Sequence, residues 1–205
     1  MNYLAHIYLS GATPEMMVGG LLGDFVKGPL TGQLPQRIEQ GIALHRKIDV
    51  FVDQQPEIRG ALCRFQTPYR RFAGIYLDIC FDHFLAKHWK AFHQQSLEDF
   101  CVKFYEHLRN FDELLPPRAL HFSKVAPVVH WLESYAEFEN LELMLQRIGQ
   151  RFKKQVPLHH GFFILQRDYA TLESEFLLTF PQFVAFADSQ RQNLQGTIHS
   201  DQEAG

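Results

Sequence analysis

Residues 71–89, RFAGIYLDICFDHFLAKHW, set two aspartates and a histidine in an otherwise apolar run. As a helix this stretch places Asp78 and Asp82 at i and i+4, about 40° apart around the axis and roughly 6 Å along it. They share a face. Apolar residues fill most of the remaining circumference, which is the pattern of a buried helix. A buried charge left uncompensated is strongly destabilising, so each aspartate needs a partner, a proton or a metal ion. Arg70 and Arg71 lie too near the start of the same helix to serve Asp78 readily. His83 is about 100° round from Asp82 and about 140° from Asp78, so it cannot share both their faces. It binds at the edge of a site, supports a ligand from behind, or packs.

A second pair, His45 and Asp49, has the same spacing on a helix traced by Ile38, Ile42, Leu44, Ile48 and Val52. The bland alternative is that the two pair with each other or with Arg46 and Lys47. With His6 and Asp24 added, the candidates are His6, Asp24, His45, Asp49, Asp78, Asp82 and His83, all within the first 83 residues. Imidazoles and carboxylates together suit a divalent ion such as Mn²⁺, Fe²⁺ or Zn²⁺, and the lack of accompanying thiols argues against structural zinc. His6 alone also reads as a core histidine, and Asp24 as a helix end.

The elements that must position these groups read as helices throughout, with no sustained two-residue alternation, so the fold class is all-α. Met1 to Leu9 is either a short helix or an extended entry. Thr13-Pro14 opens a helix that closes near Gly23-Asp24-Phe25, and the His45/Asp49 helix runs from about Pro35. A short helix covers 58–65. Thr67-Pro68 repeats the cap and first-turn signal and should open the central helix. Ser96 with Asp99 resembles a capping box for a helix through Phe111. Pro127 should break or kink a helix over 119–135, and Phe138 to Phe152 carries an apolar stripe. A last segment runs from Leu158 to Asn193, with a break at Pro181. The expected organisation is one helical domain over 1–193 and a frayed polar tail over 194–205.

At 205 residues with 46% hydrophobic and 21% charged residues, the chain is long enough to bury a sizeable core. A net charge of −3 argues against a nucleic-acid binder, and no uncharged apolar run is long enough to span a bilayer. No membrane partner is expected. Cys63, Cys80 and Cys101, odd in number and in apolar surroundings, read as buried reduced thiols and fit a cytoplasmic location.

Four separated motifs occur in order: MNYLAHIYLS at the start, GDFVKG at 23–28, GIALHRKIDVFVD at 41–53 and YLDICFDHFLAKHW at 76–89. Together they resemble the acyl carrier protein phosphodiesterase family, also called acyl carrier protein hydrolyase. The resemblance implies a compact helical bundle distantly like the HD metal phosphohydrolases, and Mn²⁺ dependence, with Mg²⁺ or Fe²⁺ as substitutes. It implies hydrolysis of the phosphodiester joining 4′-phosphopantetheine to a serine of holo acyl carrier protein. The dipeptide here runs Asp82-His83, the reverse of the HD order, so the HD ligand scheme does not transfer. The motif positions that carry over are Asp24, His45, Asp49, Asp78, Asp82 and His83, with His6 less directly; of these, the chemistry of metal-assisted hydrolysis would place Asp24, His45, Asp78, Asp82 and His6 on the metal. Asp49 and His83 would orient ligands or handle protons, and Lys27 and Arg46 would stabilise phosphoryl charge. Arg59, Arg64, Arg70 and Arg71 would form a basic face for the acidic carrier protein. The alternatives are a related helical phosphohydrolase acting on a nucleotide or other small phosphodiester, and a noncatalytic module that binds acyl carrier protein.

Overall fold

The computed structural model describes the backbone of residues 1–203 and the side chains of residues 1–194. Among the described residues the chain forms eleven α-helices, four short 3-10 turns and no strand, as the sequence pattern predicts. The first five helices are α1 (Tyr3–Leu9), α2 (Pro14–Leu22), α3 (Gln36–Asp53), α4 (Pro56–Cys63) and α5 (Ala73–Lys87). They are followed by α6 (Trp89–Phe92), α7 (Leu97–Arg109), α8 (Pro117–Val125), α9 (Asn140–Gln150), α10 (Phe162–Arg167) and α11 (Tyr169–Glu203). Beyond Leu194, the side chains of the expected polar tail lie outside the described residues.

Local chemistry sets most of these ends. Pro14, Pro56 and Pro117 each occupy a first helical turn, where the missing N–H is no loss. Ser96 Oγ accepts the Asp99 backbone N–H at 3.0 Å, which is half of a capping box. Two expectations fail. The central helix does not open at Thr67-Pro68, a cis peptide, but at Ala73, after a 3-10 turn over Arg70–Phe72. Pro181 does not break α11. The interior proline costs about 3 kcal/mol in an isolated helix, but it is exposed here, while Phe176, Phe180, Phe183 and Ala187 on the opposite side are fully buried. Packing on both sides of Pro181 holds the axis continuous.

The core is built on α5. Tyr76, Cys80, Phe84 and Leu85 are all fully buried, and Phe81 and Phe84 meet Phe176 of α11 with ring centroids 5.4 and 5.8 Å apart. Cys80 and Cys101 are buried free thiols; Cys63 is free but exposed, contrary to expectation.

The two aspartates of α5 do share a face, and that face meets the start of the chain. Asp82, fully buried, accepts the backbone N–H groups of Leu4 at 2.8 Å and Ala5 at 3.1 Å. These are unpaired donors of the first turn of α1, which Asn2 does not cap. Asp78 accepts from the Met1 amine at 2.8 Å. A search for Arg or His partners misses this, because a tertiary contact supplies backbone amides instead.

Glycines bring α1, α2 and α3 unusually close. A Cβ on Gly19 would lie 2.3 Å from the Ile38 carbonyl oxygen, and one on Gly41 would lie 2.7 Å from that of Met16. Gly20 sits equally tightly on α1, where a Cβ would meet the His6 carbonyl oxygen at 2.8 Å. All three obstacles are backbone atoms, which cannot swing aside. Gly41→Ala is therefore expected to destabilise the protein by about 1–3 kcal/mol through overpacking, measured as a lowered urea midpoint at unchanged slope. Asp82→Ala, which strands two buried amides, should cost about 2–4 kcal/mol by the same measurement; a wild-type midpoint would mean that α1 does not need this cap.

Candidate metal centre

The close approach of α1 and α2 to α3 stacks the rings of His6 and His45, with centroids 3.6 Å apart. Gly23 makes room for the second ring, since a Cβ there would lie 2.2 Å from its Cγ. Asp49, one turn on from His45, faces both imidazoles. His6 Nε2 is 3.0 Å from Asp49 Oδ1, and His45 Nε2 is 3.2 Å from Asp49 Oδ2. One donor atom from each of the three lies within 4.8 Å of the others.

Hydrogen bonding indicates which nitrogens are free. His45 Nδ1 is 2.8 Å from the Gly20 carbonyl oxygen, which can only accept, so Nδ1 carries the proton and Nε2 presents a lone pair towards Asp49. His6 is fully buried, and neither of its ring nitrogens makes a hydrogen bond. Two electron-rich atoms held this close call for a proton or a cation between them. Burial, and then the neighbouring His45, push the His6 pKa down to about 3, which keeps the imidazole neutral. Burial raises the Asp49 carboxyl, but the close approach of His45 and His6 outweighs it and holds the group below the usual range. Two imidazoles and one carboxylate fit a divalent ion, and Asp49 is 44% exposed, so one side opens to solvent.

The other predicted residues are placed differently. Asp24 lies just past α2 and is not among the three converging groups; its Oδ2 is buried without a hydrogen bond, and burial raises its pKa. It lines a polar cleft of about 160 Å³ with Asn2, Tyr3, Asp78 and Arg151. Asp78 and Asp82 serve α1, as described. His83 is accounted for on both nitrogens, by the Tyr135 carbonyl oxygen at 2.8 Å and the Tyr169 hydroxyl at 2.8 Å. Helical geometry anticipated its separation from the aspartates. Arg46 donates to the Val26 carbonyl oxygen at 3.0 Å and so ties down the segment after α2, while Lys27 is exposed. Of the four arginines assigned to a basic face, Arg64 is already paired with Glu175 of α11, and Arg59 donates to the Asp53 carbonyl oxygen.

Sequence reasoning missed Asn2, Tyr3, Tyr135 and Arg151. Asn2 Nδ2 donates to the Tyr135 hydroxyl at 2.6 Å, and Arg151 reaches the cleft from the end of α9. No local signal marks these residues. They come together only because distant segments pack on α1.

Comparison with known proteins agrees with the four motifs. The model of the acyl carrier protein phosphodiesterase family matches residues 1–183. The chain is 33% identical over 192 residues to a protein named acyl carrier protein phosphodiesterase from Serratia proteamaculans (strain 568), covering 93% of this chain and 100% of the relative. A Yersinia pestis protein of the same name has the same identity and coverage, and one from Escherichia coli O157:H7 is 32% identical over 188 residues, covering 91% of this chain and 97% of the relative. No solved structure matches, so the likeness to HD phosphohydrolases gains no support from one. With the family model spanning nearly the whole helical chain and relatives matched almost end to end, the chain belongs to the acyl carrier protein phosphodiesterase family.

Proposed function

We propose that this chain is a metal-dependent phosphodiester hydrolase that removes 4′-phosphopantetheine from the serine of holo acyl carrier protein, leaving the apo form. Family membership supports the substrate. The observation that carries the chemistry is the meeting of His6, His45 and Asp49, with a buried imidazole lacking any hydrogen bond. These three would hold the ion, with Mn²⁺ as the first candidate. When bound, a divalent ion supplies Lewis-acid polarisation of the phosphoryl group and makes water more acidic.

The reaction forms a bond from a water oxygen to phosphorus and breaks the bond from phosphorus to the serine oxygen. The water loses a proton and the serine oxygen gains one. Asp24, half-buried in the lining of the cleft and with a raised pKa, carries that proton. Arg151, in the same cleft, offsets the phosphoryl charge. The Gly20 carbonyl oxygen fixes the His45 tautomer that leaves Nε2 free to coordinate. Asp82 acts at a distance, holding the first turn of α1 and with it His6.

Incubation of the purified protein and Mn²⁺ with holo acyl carrier protein, followed by intact-mass spectrometry, should show loss of the phosphopantetheine mass. No loss, alongside turnover of a nucleotide or another small phosphodiester, would overturn the substrate. His45→Gln and Asp49→Asn should lower both kcat/KM and bound metal, the rate by about 100-fold or more. Asp24→Asn separates proton transfer from ligation, with kcat falling while metal content stays at the wild-type level. Full activity after stripping with a chelator would rule out the metal.

A further inference from the structure

An aromatic pocket of about 630 Å³ adjoins the polar cleft, and Tyr3 and Arg151 line both. Tyr3 packs against Phe25 and Phe122 with centroids 5.8 and 5.2 Å apart, and Phe122 meets Trp131 at 5.9 Å. Val125 completes the apolar lining. The rim is cationic. Arg118 lies over the Phe25 ring and Arg151 over Trp131, and among the described residues neither pairs with a carboxylate. Such a pocket suits an elongated ligand with an apolar body and an anionic end.

Building on the function proposed above, we propose that this pocket binds the pantetheine arm of the holo carrier protein and so positions its phosphodiester in the adjoining cleft. The arm has one phosphate, a gem-dimethyl carbon beside it, two amides and a terminal thiol. Arg151, shared by cleft and pocket, meets the phosphate at the boundary, and Arg118 adds positive charge at the mouth. The aromatic walls cover the dimethyl and methylene segments. Apo carrier protein, which lacks the arm, loses this contact, so substrate and product are told apart by the group being removed.

The test is calorimetric titration of the metal-loaded protein with 4′-phosphopantetheine, beside steady-state hydrolysis of holo carrier protein. Val125→Trp fills the pocket and Arg118→Glu reverses charge at its exposed rim; circular dichroism checks that each variant folds. Saturable binding to the wild type, weakened about tenfold or more in both variants, with KM for the holo carrier raised in parallel, is the expected result. No saturable binding, or wild-type affinity and KM in both variants, overturns the proposal. The two readings fail separately. Wild-type protein that binds the arm through this pocket without cleaving holo carrier sinks the proposed reaction and keeps the pocket, while cleavage unaffected by either variant sinks the pocket and keeps the reaction.

Discussion

Close packing of α2 against α1 and α3 at glycine is the constraint from which the rest of the structure follows. A side chain at Gly19 or Gly41 would run into the backbone of the other helix, and one at Gly20 into the backbone of α1. Backbone cannot rotate out of the way, so larger residues there would force the helices apart. Separating them by the width of a methyl group would carry the His6 ring away from His45 and out of reach of Asp49. The three donor groups are therefore held by helix separation, with loops playing little part. That suits the ion binding proposed for these three groups, which needs them in one arrangement.

A second constraint concerns α1, which has only seven residues and would not hold together alone. Asp82 reaches its first-turn amides from within the core, so the helix that contributes His6 is capped by the helix that organises the bundle. Burial raises the Asp82 pKa to about 7, against the opposing pull of the two amide hydrogen bonds. The buried carboxylate orients the element that carries His6. His83, next in sequence, does comparable work on the other side of α5 by joining Tyr135 to Tyr169.

Seen from the site outward, polarity falls off in order. The imidazole and carboxylate cluster is the most polar zone, the cleft containing Asp24 and Arg151 is the next, and the aromatic pocket with a cationic rim beside that cleft is the least. Tyr3 and Arg151 belong to both later zones. The first motif of the sequence, MNYLAHIYLS, thus contributes at each stage: Asn2 and Tyr3 to the cleft and His6 to the cluster.

The sequence alone determined the helical class, most helix ends, the pairing of His45 with Asp49 on one face, and the common face of Asp78 and Asp82. All of these follow from spacing within one segment and from the chemistry of proline and serine at helix starts. It also carried the family, through four motifs in order. Tertiary structure decided which ligand-type residues meet. His6 reads on its own as a core histidine and becomes the partner of Asp49 only when α1 and α3 both pack on α2; Asp82 reads as a ligand and becomes a cap. It also decided that α11 continues through Pro181, and that Tyr3, Trp131 and Arg151 line one pocket. Each of these depends on contacts between segments far apart in the chain, where periodicity carries no information and packing distance decides.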